Sequence, residues 1–344
     1  LRGPGQRPGG HKDKSAMADT DYIIVGAGSA GCVLANRLTD SGKHKVTLIE
    51  AGGSDARFYV HLPLGYGKLF YDPAVNWMYK TEPDPGLAGG RDHWPRGKLL
   101  GHAGLGNRKD IRNAVEAAHA AKGWGKASAH NRAQILYYIA ENLSARASEF
   151  AARLRDLTGK SGNAEVEAAI ARLFTYAAWA DKFDGAVKSV PIRGVAIAMN
   201  EPCGVIGALC ADEAPLLGLI SVMAPVIAMG NTCVLVPSET APLAATDFYQ
   251  VLDTSDLPGG VVNIVTGSHA ELAKPLAGHL DVDAVWSFSR KPLSGLIEKE
   301  AAGNIKRTWV NHGHARDWFS PEAEGRTFLR AATNVKTIWV PYGE

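Results

Sequence analysis

The sequence has few cysteines and almost no excess of charge of either sign. Its four cysteines, at positions 32, 203, 210 and 233, form neither a CxxC motif nor a metal-type spacing. We therefore expect buried thiols in a reducing compartment, the cytoplasm, and no disulfide framework. The 37 basic and 35 acidic side chains nearly cancel. This balance argues against nucleic acid as a partner, because binding phosphates requires a basic surface.

A long hydrophobic run is also missing. The most apolar stretch, residues 216–230, contains Pro225 and is shorter than the roughly 18 residues needed to cross a bilayer. We predict a buried helix there and no membrane among the partners. Hydrophobic residues make up 46% of the 344 positions, enough to fill about two cores on a prior of roughly 150 residues per domain.

The composition changes twice along the chain. Residues 1–17 combine Gly, Pro and basic side chains without an apolar core, which predicts a disordered leader and not a signal peptide. Residues 18–103 read as strand, Gly-rich turn, helix and strand, followed by loop-rich sequence. After Gly101 the sequence pattern becomes typical of helices, and it predicts helices over 109–121, 130–157 and 164–183.

From residue 195 to the C-terminus, short β-rich runs alternate with helices. The runs are VAIAM, VIGALC, TCVLV, VVNIV, AVWSF, TWVN and KTIWV. Such alternation is typical of a parallel, doubly wound sheet. The predicted fold class is therefore α/β: a truncated Rossmann-like βαβ unit, then a helical segment, then a doubly wound domain. The helical segment and the doubly wound domain together occupy residues 108–344.

A glycine-rich fingerprint, GAGSAG, follows the first predicted strand and opens a helix. Gly26 permits a tight turn, Gly28 lets the backbone approach a pyrophosphate, and Gly31 allows close helix–sheet packing. Glu50 lies 19 residues after Gly31, where a carboxylate can accept ribose hydroxyls. The pattern predicts a dinucleotide site formed by these residues and Ser29.

Two other motifs, a serine nucleophile elbow and a P-loop, are alternative interpretations of glycine-containing segments. Residues 27–31 resemble a serine nucleophile elbow, but Ala27 replaces its first glycine and no His or Asp is placed to complete a triad. Residues 159–161 resemble the end of a P-loop, but the first glycine of that motif would fall on Leu154. Neither motif is complete.

A metal site near the C-terminus was also considered. His312 and His314, with Asp317, have spacing compatible with ligands on one side of a strand end. No second cluster completes a coordination shell, so loop hydrogen bonding is the preferred interpretation and no metal ligand is assigned. Nearby aromatic residues are interpreted as core or interface packing: Trp309, Trp318, Phe319 and Trp339.

Three segments of the N-terminal part, DYIIVGAGSAGCVLANRLTD, LIEAGG and RDHWPRGKLLG, resemble the glucose–methanol–choline oxidoreductases over about residues 19–101. The resemblance implies that the fingerprint glycines and Glu50 hold the ADP half of FAD. It also implies that the segment containing Gly97 runs beside the pyrophosphate and flavin. After Gly101 the sequence departs from the family pattern, and the family's catalytic His has no counterpart, so no catalytic residue is assigned.

Later segments, EPCGVIGAL, APVIAMGNTCVLVPSETAPLAA and LPGGVVNIVTG, are similar to the cofactor-binding half of aldehyde dehydrogenases. That resemblance implies a catalytic thiol, an oxyanion amide, a carboxylate base and a ribose-binding Lys. Glu213 replaces the amide, Val236 the Lys, and Ser289 with Arg290 the expected Gly-containing turn. No Glu occupies the base position and no cysteine follows Cys233. The pattern is closest to the non-catalytic second half of tandem aldehyde dehydrogenases, and we do not expect NAD.

Two hypotheses follow from these resemblances. The first is a FAD-dependent alcohol or choline dehydrogenase-type enzyme that passes its aldehyde to the fused domain, with a small alcohol or aldehyde as substrate. The second is a non-catalytic nucleotide-binding or assembly protein, or a joining of unrelated gene fragments. The substitutions favour the second hypothesis. In either case the aldehyde dehydrogenase-like half is expected to support a homo-oligomer.

Overall fold

The chain divides into two compact units, Leu1–Gly101 and His102–Glu344. The computed structural model describes residues 21–25, 29–39, 42–49, 79–80, 93–94, 103–191 and 193–341. The predicted leader, residues 1–17, lies outside the described residues, as does most of the loop-rich stretch after Glu50.

The N-terminal unit contains the predicted βαβ arrangement. Strands β1 (Tyr22–Val25) and β2 (Val46–Ile49) pair in parallel, and helix α1 (Ser29–Thr39) lies between them in the chain. Gly42 adopts a φ of 65°, and its amide donates to the carbonyl of Thr39 at 2.9 Å, so the helix ends in a glycine turn. Strands β3 and β4 form a two-stranded antiparallel pair, Tyr79–Lys80 with Trp94–His93.

Helices open the C-terminal unit. They are α2 (Arg108–Ala120), a 3-10 helix (Ala121–Lys126), α3 (Ala129–Ala145), α4 (Ala147–Thr158) and α5 (Asn163–Trp179). Helix α2 begins with a capping box: the Asn107 side chain accepts from the Lys109 amide at 2.7 Å, and Asp110 accepts from the Asn107 amide at 2.9 Å. These reciprocal bonds define the helix start.

The prediction of one helix over 130–157 is wrong. The backbone leaves the α-helical region at Arg146, with φ −106° and ψ 14°, and the Arg146 amide bonds three residues back to Leu143 at 3.1 Å. The break re-aims the chain, so that Ile139 before it and Phe150 after it both enter the same core. The helix predicted over 164–183 likewise ends early, at Trp179.

The predicted doubly wound sheet is present with five parallel strands. They are β7 (Val205–Leu209), β8 (Thr232–Val236), β9 (Val262–Ile264), β10 (Ala284–Ser287) and β11 (Arg307–Val310), in the order β11-β10-β7-β8-β9. The connecting helices are α6 (Pro215–Ala228), α7 (Leu243–Asp253), α8 (His269–Ala277) and α9 (Ser294–Ala301). This topology confirms the predicted α/β class.

Helix α6 is the buried helix predicted for the most apolar stretch, and each of its 14 residues is buried. It begins with Pro215, whose missing amide costs nothing at the first helical position. Within the described ranges, no helix combines the length and apolar character needed to cross a bilayer.

Two of the seven predicted parallel strands belong elsewhere. The runs VAIAM and KTIWV lie in β6 (Gly194–Pro202) and β12 (Thr333–Pro341), which pair antiparallel over nine residues, with β5 (Gly185–Ser189) on the other side of β6. Helix α10 (Arg326–Ala331) returns the chain to this separate sheet. Its strands keep large apolar side chains exposed: Val187, Val335 and Trp339.

Candidate functional site

The strand order places a crevice at one edge of the parallel sheet. The chain runs from β7 to β8 and β9 on one side, and then crosses to β10 on the other side of β7. In open α/β sheets, ligands bind outside the carboxyl ends of the strands at such a switch point. The carboxyl-edge crevice is defined here by the turns after β7, β8 and β10, residues 210–213, 237–239 and 288–291.

Asp212 holds the turn after β8 in position. Its Oδ1 accepts from the Ser238 hydroxyl at 2.8 Å and from the Glu239 amide at 2.8 Å. These bonds tie the turn after β7 to the turn after β8. The Asp212 carboxylate therefore has a structural role, which is to connect the two turns.

A buried histidine joins the ends of the two strands that flank β7. His269, the first residue of α8, is fully buried. Its Nε2 lies 2.8 Å from the carbonyl oxygen of Pro237, and its Nδ1 lies 2.9 Å from the Ser289 hydroxyl. A carbonyl can only accept, so Nε2 carries a proton, and in the neutral ring Nδ1 accepts from the Ser289 hydroxyl. His269 thus bridges the carboxyl ends of β8 and β10.

Glu239 forms an ion pair across the same crevice. Its Oε2 lies 2.6 Å from Lys291 Nζ, and its Oε1 accepts from the same ammonium at 2.8 Å and from the His269 amide. Burial acts to raise the pKa of Glu239, but the bonds from Lys291 and the amide outweigh it and hold this pKa below its usual value. The carboxylate is ionised and occupied on both oxygens.

The first turn of α6 is also occupied by a carboxylate. Glu165, from α5, accepts from the amides of Leu216 and Leu217 at 2.8 and 3.1 Å. Burial raises the pKa of Glu165, which these two hydrogen bonds only partly offset. Glu213, just before the helix, accepts from the Arg316 amide at 3.2 Å. The amides at this helix start, which could otherwise stabilise a developing oxyanion, already pair with an acid.

The thiols described in this unit are poorly suited to nucleophilic attack. Cys210, directly after β7, and Cys233, within β8, are fully buried, and burial raises the pKa of both thiols. Cys203 is half-buried; burial raises its pKa, while the neighbouring Arg307 acts in the opposite direction. It precedes β7 and therefore lies at the opposite edge of the sheet from the crevice. The predicted burial is confirmed for Cys210 and Cys233; the Cys32 side chain lies outside the described residues.

Aromatic side chains cluster beside β10 and β11. Arg316 lies over four rings, with its guanidinium carbon 5.4–5.8 Å from the centroids of Phe288, Trp309, Trp318 and Phe328. Burial lowers the pKa of Arg316. Trp318 is buried and Trp309 packs against the core, as predicted. Phe319 and Trp339 are 55% and 56% exposed, so they are not core residues.

The histidines considered as metal ligands take part in loop hydrogen bonds. The amide of His312 donates to the Ser294 hydroxyl at 3.1 Å, and the carbonyl of His314 accepts from the Asn311 side chain at 2.9 Å. Asp317 accepts from the Phe319 amide at 3.0 Å. In the described part of the chain, no group of three or more His, Cys, Asp or Glu side chains is arranged to hold a metal ion.

The structure describes only part of the predicted dinucleotide fingerprint. Ser29 begins α1 and Gly31 lies in its first turn, directly after β1 in sequence order, as the motif requires. Gly26, Gly28, Glu50 and Gly97 lie outside the described residues. The FAD site therefore stays a prediction.

Three positions that the aldehyde dehydrogenase resemblance singles out make contacts within the C-terminal unit. Val236, where the resemblance implies a Lys, is fully buried in β8. Ser289, where it implies glycine, is buried beside His269. The Glu239 carboxylate pairs with Lys291.

The residues that bond across the crevice carry no signal in local sequence patterns. From the sequence, Ser289 is identified only as a replacement for glycine. Its partner His269 belongs to no recognisable motif, since a polar residue at the start of a helix is common. Lys291 and Glu239 lie 52 positions apart. Glu165 was hidden for the same reason, because its bonds to α6 span 51 and 52 positions.

Fold and site together define an α/β protein of the dinucleotide-binding type, with a switch-point crevice. A sequence model described as "Aldehyde dehydrogenase family" matches residues 92–317, well over half of the chain. A second, described as an NAD(P)-binding Rossmann-like domain, matches residues 24–78. The chain belongs to the aldehyde dehydrogenase family.

Curated relatives match the two parts separately. An aldehyde dehydrogenase of Agaricus bisporus is 31% identical over 226 residues, which cover 63% of this chain and 45% of the relative. An oxygen-dependent choline dehydrogenase of Vibrio vulnificus is 51% identical over 81 residues, which cover 24% of this chain and 14% of the relative. Both predicted resemblances are confirmed. The chain spans less than half the length of either relative.

Solved structures agree with the second resemblance. A betaine aldehyde dehydrogenase from Staphylococcus aureus in complex with NAD+ has a TM-score of 0.59 and 26% identity, over 62% of this chain and 44% of that chain. An indole-3-acetaldehyde dehydrogenase has a TM-score of 0.59 and 29% identity, over 63% of this chain and 52% of that chain. The NAD+ in the first structure gives no support to the expectation that NAD is absent.

Proposed function

We propose that this chain is an oxidoreductase-family fusion whose C-terminal unit, residues 108–344, has no aldehyde dehydrogenase activity. The observation that carries the proposal is the burial of Cys210 and Cys233, the two described thiols nearest the carboxyl-edge crevice. Covalent aldehyde oxidation needs an accessible thiolate, and burial disfavours the charged form. The acid-capped start of α6 supports the same conclusion, because an oxyanion would lie beside Glu165 and Glu213.

The purified chain is expected to produce NADH or NADPH from acetaldehyde, betaine aldehyde or benzaldehyde no faster than heat-treated protein. The measurement is absorbance at the reduced nicotinamide band, with a Cys210→Ala variant as the matched control. Steady production that disappears in Cys210→Ala would identify that buried thiol as a nucleophile and overturn the proposal. Steady NADH or NADPH production that persists in Cys210→Ala would also overturn the proposal, because it would show aldehyde oxidation that does not use the Cys210 thiol.

The N-terminal segment, residues 18–103, is proposed to bind the ADP half of FAD through Gly26, Gly28, Ser29, Gly31 and Glu50, with Gly97 nearer the flavin. The choline dehydrogenase similarity over 81 residues supports this assignment. In a full-length enzyme of that kind, FAD would accept electrons from a small alcohol. No step of that reaction is assigned to residues of this chain.

Purified protein is expected to copurify with some FAD, or to be thermally stabilised by ADP, since a ligand that binds only the folded state adds stability by mass action. Replacing Glu50 with alanine should weaken the shift because it removes the acceptor for the ribose hydroxyls. Visible absorbance and melting temperature are the measurements. A melting temperature unchanged by millimolar FAD, ADP and NAD would refute nucleotide binding.

Assembly is proposed as a second role for the C-terminal unit. The antiparallel sheet of β5, β6 and β12 leaves Val187, Val335 and Trp339 more than half exposed, which is typical of a surface that pairs with another chain. The occupant proposed is a second copy of this chain. The free thiols support a reducing compartment, the cytoplasm, for the assembled protein.

A further inference from the structure

We infer that Lys291 closes the carboxyl-edge crevice to adenosine nucleotides by occupying the Glu239 carboxylate. The inference rests on the proposed function and deepens it, since it names the side chain that keeps this unit from binding a nucleotide. The juxtaposition that carries it is the two-point contact of Lys291 Nζ with Oε1 and Oε2 of Glu239, at 2.8 and 2.6 Å.

Glu239 borders a small cavity next to the carboxyl-edge crevice. The cavity has a volume of about 220 Å³ and is lined by Glu239, Pro242 and the segments 103–105 and 266–268. Glu239 is the ionisable residue in this lining. The volume is below the roughly 300–1,000 Å³ of typical small-molecule pockets, so a whole dinucleotide would not fit inside it. Glu239 is the charged acceptor that a ribose in this cavity would meet.

The other carboxylates of the crevice do not line this cavity. Asp212 accepts from the Ser238 hydroxyl and the Glu239 amide, and Glu213 accepts from the Arg316 amide. A ribose in the cavity would therefore have to displace Lys291 to gain a charged acceptor. Hydrogen bonds to a charged group are roughly twice as strong as those between neutral groups, so the loss of this acceptor lowers affinity measurably.

Lys291 is held in this place by the buried pair beneath it. The Ser289 hydroxyl, which donates to His269, also accepts from the Lys291 amide at 3.3 Å. The turn after β10 is thereby anchored through His269 to the end of β8. His269 and Ser289 are positioning residues that direct Lys291 toward Glu239.

The test is calorimetric titration of AMP into the full chain carrying Glu50→Ala, so that the N-terminal fingerprint contributes little to the signal. Lys291→Met is expected to bind AMP about tenfold more tightly than its parent, the scale of one hydrogen bond to a charged group. Adding Glu239→Gln should abolish the gain. Lys274→Met, which removes a lysine 4.0 Å from Glu300 in the same unit, should leave AMP affinity unchanged.

Lys291→Gln is the second variant, used if Lys291→Met does not fold by circular dichroism. Unchanged AMP affinity in a folded Lys291 variant would overturn the inference. The inference would also be overturned if the Glu50→Ala parent bound AMP as tightly as the Lys291 variant does and that binding depended on Glu239. Neither of these results would show aldehyde oxidation, so the proposed function would stand. NADH production from an aldehyde would refute the proposed function, even if Lys291 affects AMP binding as inferred.

Discussion

Replacing Arg172 with methionine is expected to lower the free energy of unfolding of the C-terminal unit by about 3–5 kcal/mol, the usual cost of breaking a buried charged network. Arg172 lies in α5 and is 4% exposed. Its guanidinium donates to the carbonyls of Trp318 and Ala323 at 3.0 and 2.7 Å, and Nε lies 2.8 Å from Glu324 Oε2. Methionine fills similar space but leaves those acceptors without a donor.

The measurement is urea unfolding followed by circular dichroism, with Arg146→Met as the matched control. Arg146, at the break between α3 and α4, pairs with Glu149 three residues on. Its side chain is 30% exposed and that of Glu149 is 59% exposed, and solvent-accessible pairs contribute about 0–1 kcal/mol. An equal loss in the two variants would show that burial does not distinguish these arginines. A loss below about 1 kcal/mol in Arg172→Met would contradict its role as the tie between α5 and residues 318–324.

Replacing Phe328 with alanine is expected to cost about 3–5 kcal/mol, as is usual when a buried aromatic side chain is deleted. Phe328 is fully buried, and its ring centroid lies 4.8 Å from that of Trp309 and 6.0 Å from that of Phe288. Alanine would leave a cavity among rings that cannot move together. Since 1 kcal/mol shifts the melting temperature of a unit this size by roughly 2–4 °C, we expect a fall of about 10 °C.

Phe319→Ala is the control, because this ring is 55% exposed. It should change stability by less than about 0.5 kcal/mol, as surface substitutions usually do. Scanning calorimetry measures both. Comparable falls in the two variants would mean that the aromatic group beside β10 and β11 is not the tightly packed core that its geometry indicates.

Much of the fold follows from local patterns in the sequence. Short apolar runs that alternate with helical segments predicted the βαβ unit and the five parallel strands, because such runs indicate strands that are buried in a sheet. The apolar run over 216–230 predicted the buried α6 for the same reason. These features depend on neighbours within about ten positions, which a single sequence displays directly.

Pairing between distant elements was not visible in those patterns. The runs VAIAM and KTIWV have the same local character as the parallel strands, yet they pair antiparallel in a second sheet. No Gly or Pro, the residues that usually mark a helix end, lies at the break at Arg146. Strand direction and helix bending depend here on how the core closes, which local propensity does not encode.

The features of the candidate site likewise fall into those visible in the sequence and those visible only in the tertiary structure. The sequence by itself determined the family resemblance, the substitutions at Glu213, Val236 and Ser289, and the lack of a cysteine after Cys233. Only the tertiary structure decided that Lys291 pairs with Glu239 and that His269 joins the ends of β8 and β10. These contacts join residues 20 to 52 positions apart. They exist because parallel strands bring their carboxyl ends to one edge, whatever their separation in the chain.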